Sequence, residues 1–209
     1  MTRAHIPGII AMALIVLASN ILVQFLFGNW LTWGAFTYPL AFLVTDLMNR
    51  LYGPSAARQV VFAGFIVGVF CSLVGTQIQG EFGPLVTFRI ALASGLAFLT
   101  AQLMDVAIFD KMRSGVWWRA PLASTLIGAS IDTALFFSIA FSGALTFIEP
   151  ENDVSWAGEM LPLLGAGPIV PLWVSLAVAD WMVKIALALI ALIPFRLIVL
   201  RFRENSALT

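Results

Sequence analysis

Charge is scarce in this chain. Of its 209 residues, 11% are Asp, Glu, Lys or Arg and 61% are hydrophobic. Soluble domains average about 25% charged and about 45–50% apolar residues. A water-soluble globular domain is thereby excluded, and a mean hydropathy of +0.99 places the chain in a membrane. Cysteine occurs once, as Cys71, so no disulfide can form within the chain. Histidine also occurs once, as His5 near the N-terminus, which argues against a histidine-based metal site or a catalytic triad. No GxxxxGK[ST] phosphate loop is present, which removes ATP hydrolysis by that route.

What is there instead is long apolar runs. All-α architecture follows, as six transmembrane segments at about 7–27, 31–48, 59–78, 85–109, 121–147 and 170–200. The first is twice the length of a signal-peptide core and lacks an A-x-A-like cleavage site before Gln24, so it reads as a retained helix. Pro194 in the last run predicts a kink or an exit from the membrane. Arg3, then Arg50 and Arg58, then Lys111, Arg113 and Arg119, then Arg196, Arg201 and Arg203 fall before the first segment, in alternate connections and at the end of the last, all on one side. The intervening connections carry Glu81, Glu149, Glu151, Asp153 and Glu159 and no Lys or Arg. The positive-inside rule then puts both termini in the cytoplasm. The acidic 148–169 connection, with "LPLLGAGP", is a surface loop or a lid. Gly64 and Gly68 offer a helix-contact face on which a second copy could pack as a homodimer.

A few charges lie inside the apolar runs. In "SIDTALFFSIAF", Asp132 stands alone, at a cost of about 2.5–3.5 kcal/mol for a carboxylate at mid-membrane. On a helix it shares a face with Ser124, Thr125, Gly128, Ala129 and Phe136, a stripe suited to a neighbouring helix or a cavity. Asp180 and Lys184 are four apart and can pair along one helix. Gln102 and Asp105 share a face, as do Asn20 and Gln24. Arg89 is an interfacial snorkel or a gate, and Asp46 with Arg50 reads as a helix-end ion pair. So many polar groups exceed what packing needs, and they predict a polar cavity at the bundle centre.

Several stretches then resemble one family. "FTYPLAFLVTDLMNRLYGPSAARQVVFAGF", "RIALASGLAFLTAQLMDVAIFDKMR", "WWRAPLASTLIGASIDTALFFSIAF" and "DWMVK" are similar to the queuosine precursor transporters, also called the vitamin uptake transporter family. The resemblance runs from Phe36 to Lys184, with the "TDL", "Q-x-x-D", "ST-x-x-G-x-x-x-DT" and "D-x-x-x-K" elements in the family's order. It implies a transporter, not an enzyme, that imports 7-cyano- and 7-aminomethyl-7-deazaguanine across the cytoplasmic (inner) membrane of a bacterium. It implies no cofactor, no nucleic-acid partner and no obligatory ATPase.

The residues accommodate such a base. A deazaguanine presents a ring N–H beside an amine, and one carboxylate, Asp132 or Asp180, can accept both. Lys184, Gln102 or Asn20 can donate to its carbonyl. Phe136, Phe137, Phe88 and Trp181 are candidates for the flat slot, and Asp105 or Asp46 for a cationic substituent. Two other classes fit the residues less well. A substrate-binding subunit of an energy-coupling-factor transporter would carry A-x-x-x-A in its first helix, and "GIIAMALIVLAS" has no two alanines four apart. An intramembrane aspartyl protease would carry Y-D and G-x-G-D motifs, and neither surrounds Asp132 or Asp180.

Overall fold

A computed structural model describes residues 3–81 and 83–207. The side chains of Arg3 and Arg203, which carry part of the charge argument, lie outside the described residues. The fold is mostly helical: α1 Ile6–Leu22, α2 Gly34–Thr37, α3 Leu40–Tyr52, α4 Pro54–Gln77, α5 Phe88–Met112, α6 Arg119–Phe141 and α7 Leu172–Ala207. α4 to α7 each contain a stretch long and apolar enough to cross a bilayer, and α1 is a shorter apolar helix of 17 residues. The surface confirms the solvent. Ile10, Leu14, Leu17 and Ile21 of α1 and Ile190, Ile193 and Leu197 of α7 point outward, while Asp46, Asp105, Asp132 and Lys184 are buried. That inversion suits a protein whose outside is lipid. The chain is a multi-pass membrane protein.

The second expected segment, 31–48, is the one the structure redraws. Two short helices replace it, broken at Tyr38–Pro39. Pro39 has no N–H, so the ladder loses a rung and tightens into i, i+3 bonds from Ala41 N to Tyr38 O and from Phe42 N to Pro39 O. α3 is only 13 residues long yet touches α1, α4, α5, α6 and α7. The fifth segment ends at Phe141, not near 147, because Ser142 turns extended and a 3-10 stretch follows over Gly143–Ile148. α7 runs through Pro194 without stopping there. At 1.5 Å per residue it measures about 54 Å, well beyond a core of about 30 Å.

The two ends of the bundle differ as the charges require. One end carries the connection at Gly53 and the turn at 113–118, and there Arg50 Nη1 donates to Arg113 O at 2.6 Å while Arg196 lies over the Trp117 ring. The other carries three antiparallel hairpins: β1 Leu26–Phe27 with β2 Leu31–Thr32, β3 Gln79–Gly80 with β4 Gly83–Pro84, and β5 Met160–Pro162 with β6 Ile169–Pro171. In the 148–169 connection the β5–β6 hairpin is tied to α7 by the bond from Leu164 N to Ser175 Oγ.

Gly64 and Gly68 face inward, not toward a second copy. A Cβ on Gly64 would stand 2.6 Å from Met12 Cγ, and one on Gly68 would stand 3.5 Å from Val16 Cγ1. They seat α4 against α1.

Arg89 neither snorkels nor opens onto the centre. It is fully buried, with Nε donating to Ile139 O at 2.6 Å and Nη2 to Ser142 O at 2.5 Å, so it closes the C-terminal end of α6. Glu149 accepts from the backbone N–H groups of Phe88 and Arg89 at the start of α5. Arg89→Ala should therefore destabilise the fold by about 3–5 kcal/mol, since two charge-assisted bonds are lost in a dry site. Arg89→Lys should recover only part of it, lacking the fork. Thermal unfolding in detergent measures both. An unchanged midpoint for Arg89→Ala would remove the structural role.

Candidate functional site

Two polar layers lie on one face of α6. The first is built around Lys184 of α7. Its Nζ lies 2.7 Å from Asp132 Oδ2 and 2.5 Å from Asp180 Oδ2, and donates to Thr133 Oγ1 at 3.0 Å. Thr133 in turn donates to Asp180 Oδ2 at 2.9 Å. The other Asp132 oxygen accepts from the Tyr38 hydroxyl at 2.9 Å, and the ammonium sits 5.4 Å from the Tyr38 ring centroid. The i, i+4 spacing of Asp180 and Lys184 makes the pair local to α7, as expected. Folding adds Asp132 from α6, and the break before α3 brings in Tyr38. Two carboxylates share one ammonium, and every polar atom of Asp132 is occupied. Above this layer Phe136, Phe137, Phe141 and Trp156 form a chain of ring contacts toward the hairpin end.

The second layer lies about 10 Å along α6 toward the arginine-rich end, the distance from Asp132 back to Thr125. Asp46 of α3 accepts from Ser124 Oγ and Thr125 Oγ1, each at 3.2 Å. It forms no ion pair with Arg50, whose guanidinium turns away to Arg113 O and the Phe109 ring. Asp105 of α5 is fully buried beside Gly128, one turn along α6 from Ser124. Thr45 donates to Gln102 Oε1 at 2.6 Å and Asn49 Nδ2 to Val106 O at 2.9 Å. Gly128 separates the layers: a Cβ there would stand 2.8 Å from the Phe42 ring and 3.5 Å from Asp105 Cβ.

Of the residues singled out in the sequence, Asp132, Asp180 and Lys184 come together in the first layer, and Asp46, Gln102 and Asp105 in the second. Asn20 folds back onto Val16 O of its own helix, and Gln24 lies beyond the end of α1 at Leu22, so the two share no face. Phe136 is half-buried. Phe88 and Trp181 are exposed, the latter donating to Ser130 Oγ at 2.9 Å. Tyr38 and Thr133 were missed. The signal for Tyr38 was the Tyr-Pro pair inside an apolar run, which breaks a helix and lets a side chain there reach across to a neighbouring helix.

Residues 32–199 match the family described as "Putative vitamin uptake transporter". The chain belongs to this family. It is 34% identical over 196 residues to the "Queuosine precursor transporter" of Escherichia coli (strain K12), covering 87% of this chain and 79% of that protein. It is 30% identical to the "Probable queuosine precursor transporter" of Haemophilus influenzae over 78% of this chain and 66% of the relative. For the Bacillus subtilis (strain 168) protein of the same description the identity is 27%, over 80% and 71%. No solved structure matches. The match takes in both polar layers, from Tyr38 to Lys184, and the family is one of transporters, not of enzymes.

Proposed function

We propose that this chain is a secondary transporter that imports the queuosine precursors 7-cyano- and 7-aminomethyl-7-deazaguanine across the bacterial inner membrane. It crosses six times, the segment from α2 through α3 counting as one broken pass, with both termini in the cytoplasm and no obligatory ATPase. The observation that carries the reading is the occupancy of Asp132: one oxygen takes a hydroxyl donor from Tyr38, the other an ammonium donor from Lys184. A deazaguanine edge offers the same two donors side by side and can replace them bidentately. Lys184, released from Asp132 but still held by Asp180, then donates to the ring carbonyl. Exchange of internal for external partners links binding to movement of the break before α3 against α6. For the aminomethyl form, Asp180 is the counter-charge.

The test is uptake of labelled 7-aminomethyl-7-deazaguanine by bacteria that neither make nor otherwise import it, read as queuosine in tRNA. The native chain should restore queuosine. Asp132→Asn, at equal membrane level, should lower uptake at least about tenfold, since one charge-assisted bond of about 1.5–3 kcal/mol is lost. Restoration by both would remove Asp132 from the site, and restoration by neither would reject the substrate.

A further inference from the structure

We propose that Asp46 and Asp105 are a proton-carrying carboxyl pair that couples this transporter to the proton gradient. The inference rests on the transport reading above and adds the coupling ion.

The geometry is that of two acids forced together without a cation. Both carboxyls are buried against one stretch of α6: Asp46 accepts from Ser124 and Thr125, and a Cβ on Gly128 would stand 3.5 Å from Asp105 Cβ. Neither oxygen of Asp105 is matched to a donor group, and the amide Nε2 of fully buried Gln102, one turn away on α5, is likewise unmatched. The charged groups nearby are engaged elsewhere. Lys184 of α7 is held by Asp132 and Asp180, and Arg50, one turn along α3, is turned to Arg113 O. From α6 the pair meets only the hydroxyls of Ser124 and Thr125. Two carboxylates set side by side with no cation repel in so dry a place, and a proton shared between them relieves the repulsion.

The pair is also placed to act on the moving part. Three hydrogen bonds join the 34–52 segment to α6: Tyr38 to Asp132, Ser124 to Asp46 and Thr125 to Asp46. All three end on a carboxylate. A proton arriving on Asp46 weakens it as an acceptor for Ser124 and Thr125, and a base arriving at Asp132 displaces Tyr38. Both ligands therefore loosen the same interface. The pair cycles between two protons and one. It binds one proton with the site open outside and releases that proton to the cytoplasm, so one proton accompanies each base and the doubly ionised state is never visited.

The experiment uses the full chain in proteoliposomes with labelled 7-aminomethyl-7-deazaguanine, with exchange counterflow measured first and without any gradient. An acid-outside gradient is then imposed, with internal pH followed by a trapped dye. Coupling predicts accumulation that rises about tenfold per unit of pH difference, collapses with a protonophore and acidifies the interior. Asp105→Asn keeps the shape but not the proton, and should exchange base without accumulating it. Counterflow with no response of the native protein to the gradient overturns the coupling and leaves the transport reading standing. Gradient-driven accumulation by both Asp105→Asn and Asp46→Asn overturns the assignment to this pair. Absence of counterflow in the native protein rejects the transport reading, and the coupling with it.

Discussion

Lys184→Met should abolish uptake and lower stability by about 3–5 kcal/mol, the usual cost of removing one partner from a buried ion pair. The physical reason is the count of charges around it. Asp132 and Asp180 both end on Lys184 Nζ, and Thr133 is a neutral bridge between the ammonium and Asp180. Without the ammonium, two carboxylates face each other in a dry site. The diagnostic companion is Lys184→Met with Asp132→Asn and Asp180→Asn. Removing all three charges should restore most of the lost stability, because a neutral cluster of similar shape costs little. On the proposed reading transport should not return, since this layer then holds no carboxylate for the base. Thermal unfolding in detergent and cellular uptake, measured on the same preparations, separate the two effects. If Lys184→Met alone melted with the native protein, the acids would not depend on that ammonium.

Gly128→Val should be nearly as damaging, though no charge is touched. At Gly128 α6 packs tightly against α3 and α5: its Cβ would stand 2.8 Å from the Phe42 ring and 3.3 Å from the backbone oxygen of Ala101. The ring can tilt, but the carbonyl cannot. Overpacking of this kind costs about 1–3 kcal/mol, and the valine should lie at the upper end. Because Gly128 sits between the two layers, spreading the helices there also lengthens the bonds from Tyr38 to Asp132 and from Ser124 to Asp46. Uptake should fall more than melting alone accounts for. Gly95→Ala is the control, for its Cβ meets only Phe65 Cε2, at 3.5 Å. It should melt at or slightly above the native temperature, as alanine favours a helix. Loss of stability at Gly95 equal to that at Gly128 would mean that helix packing is uniformly tight and that the separation of the layers has no special role.

How much of this was readable beforehand varies by residue. Asp180 with Lys184 was legible because both members lie on one helix at i, i+4, and helical geometry alone brings them together. Asp132 was legible as an anomaly, a lone acid on a small, polar stripe, but its partners lie on α7 and at the break before α3. The same local rule misled at Asp46 and Arg50. They have the same spacing as Asp180 and Lys184, yet Asp46 turned to the hydroxyls of α6 and Arg50 to the arginine-rich end. An i, i+4 spacing only permits a pair; the groups that the neighbouring helices present decide whether it forms. Arg89 shows the limit differently. Its position near a helix start suggested a snorkel or a gate, and only the return of α6 put two carbonyls within its reach.

By itself the sequence determined the solvent, the helical class and the alternation of charged ends. Each of these follows from a sum along the chain: apolar length against bilayer thickness, and arginine count per connection. It also determined the family, through elements spread from Phe36 to Lys184. The tertiary structure decided which polar groups meet. It drew one ammonium to two acids, left Asp46 and Asp105 together with no cation, and used the Tyr38–Pro39 break to carry a hydroxyl to Asp132. Those outcomes depend on the faces that the described helices turn toward one another. A buried charge takes whatever partner packing sets within about 3 Å, regardless of separation along the chain.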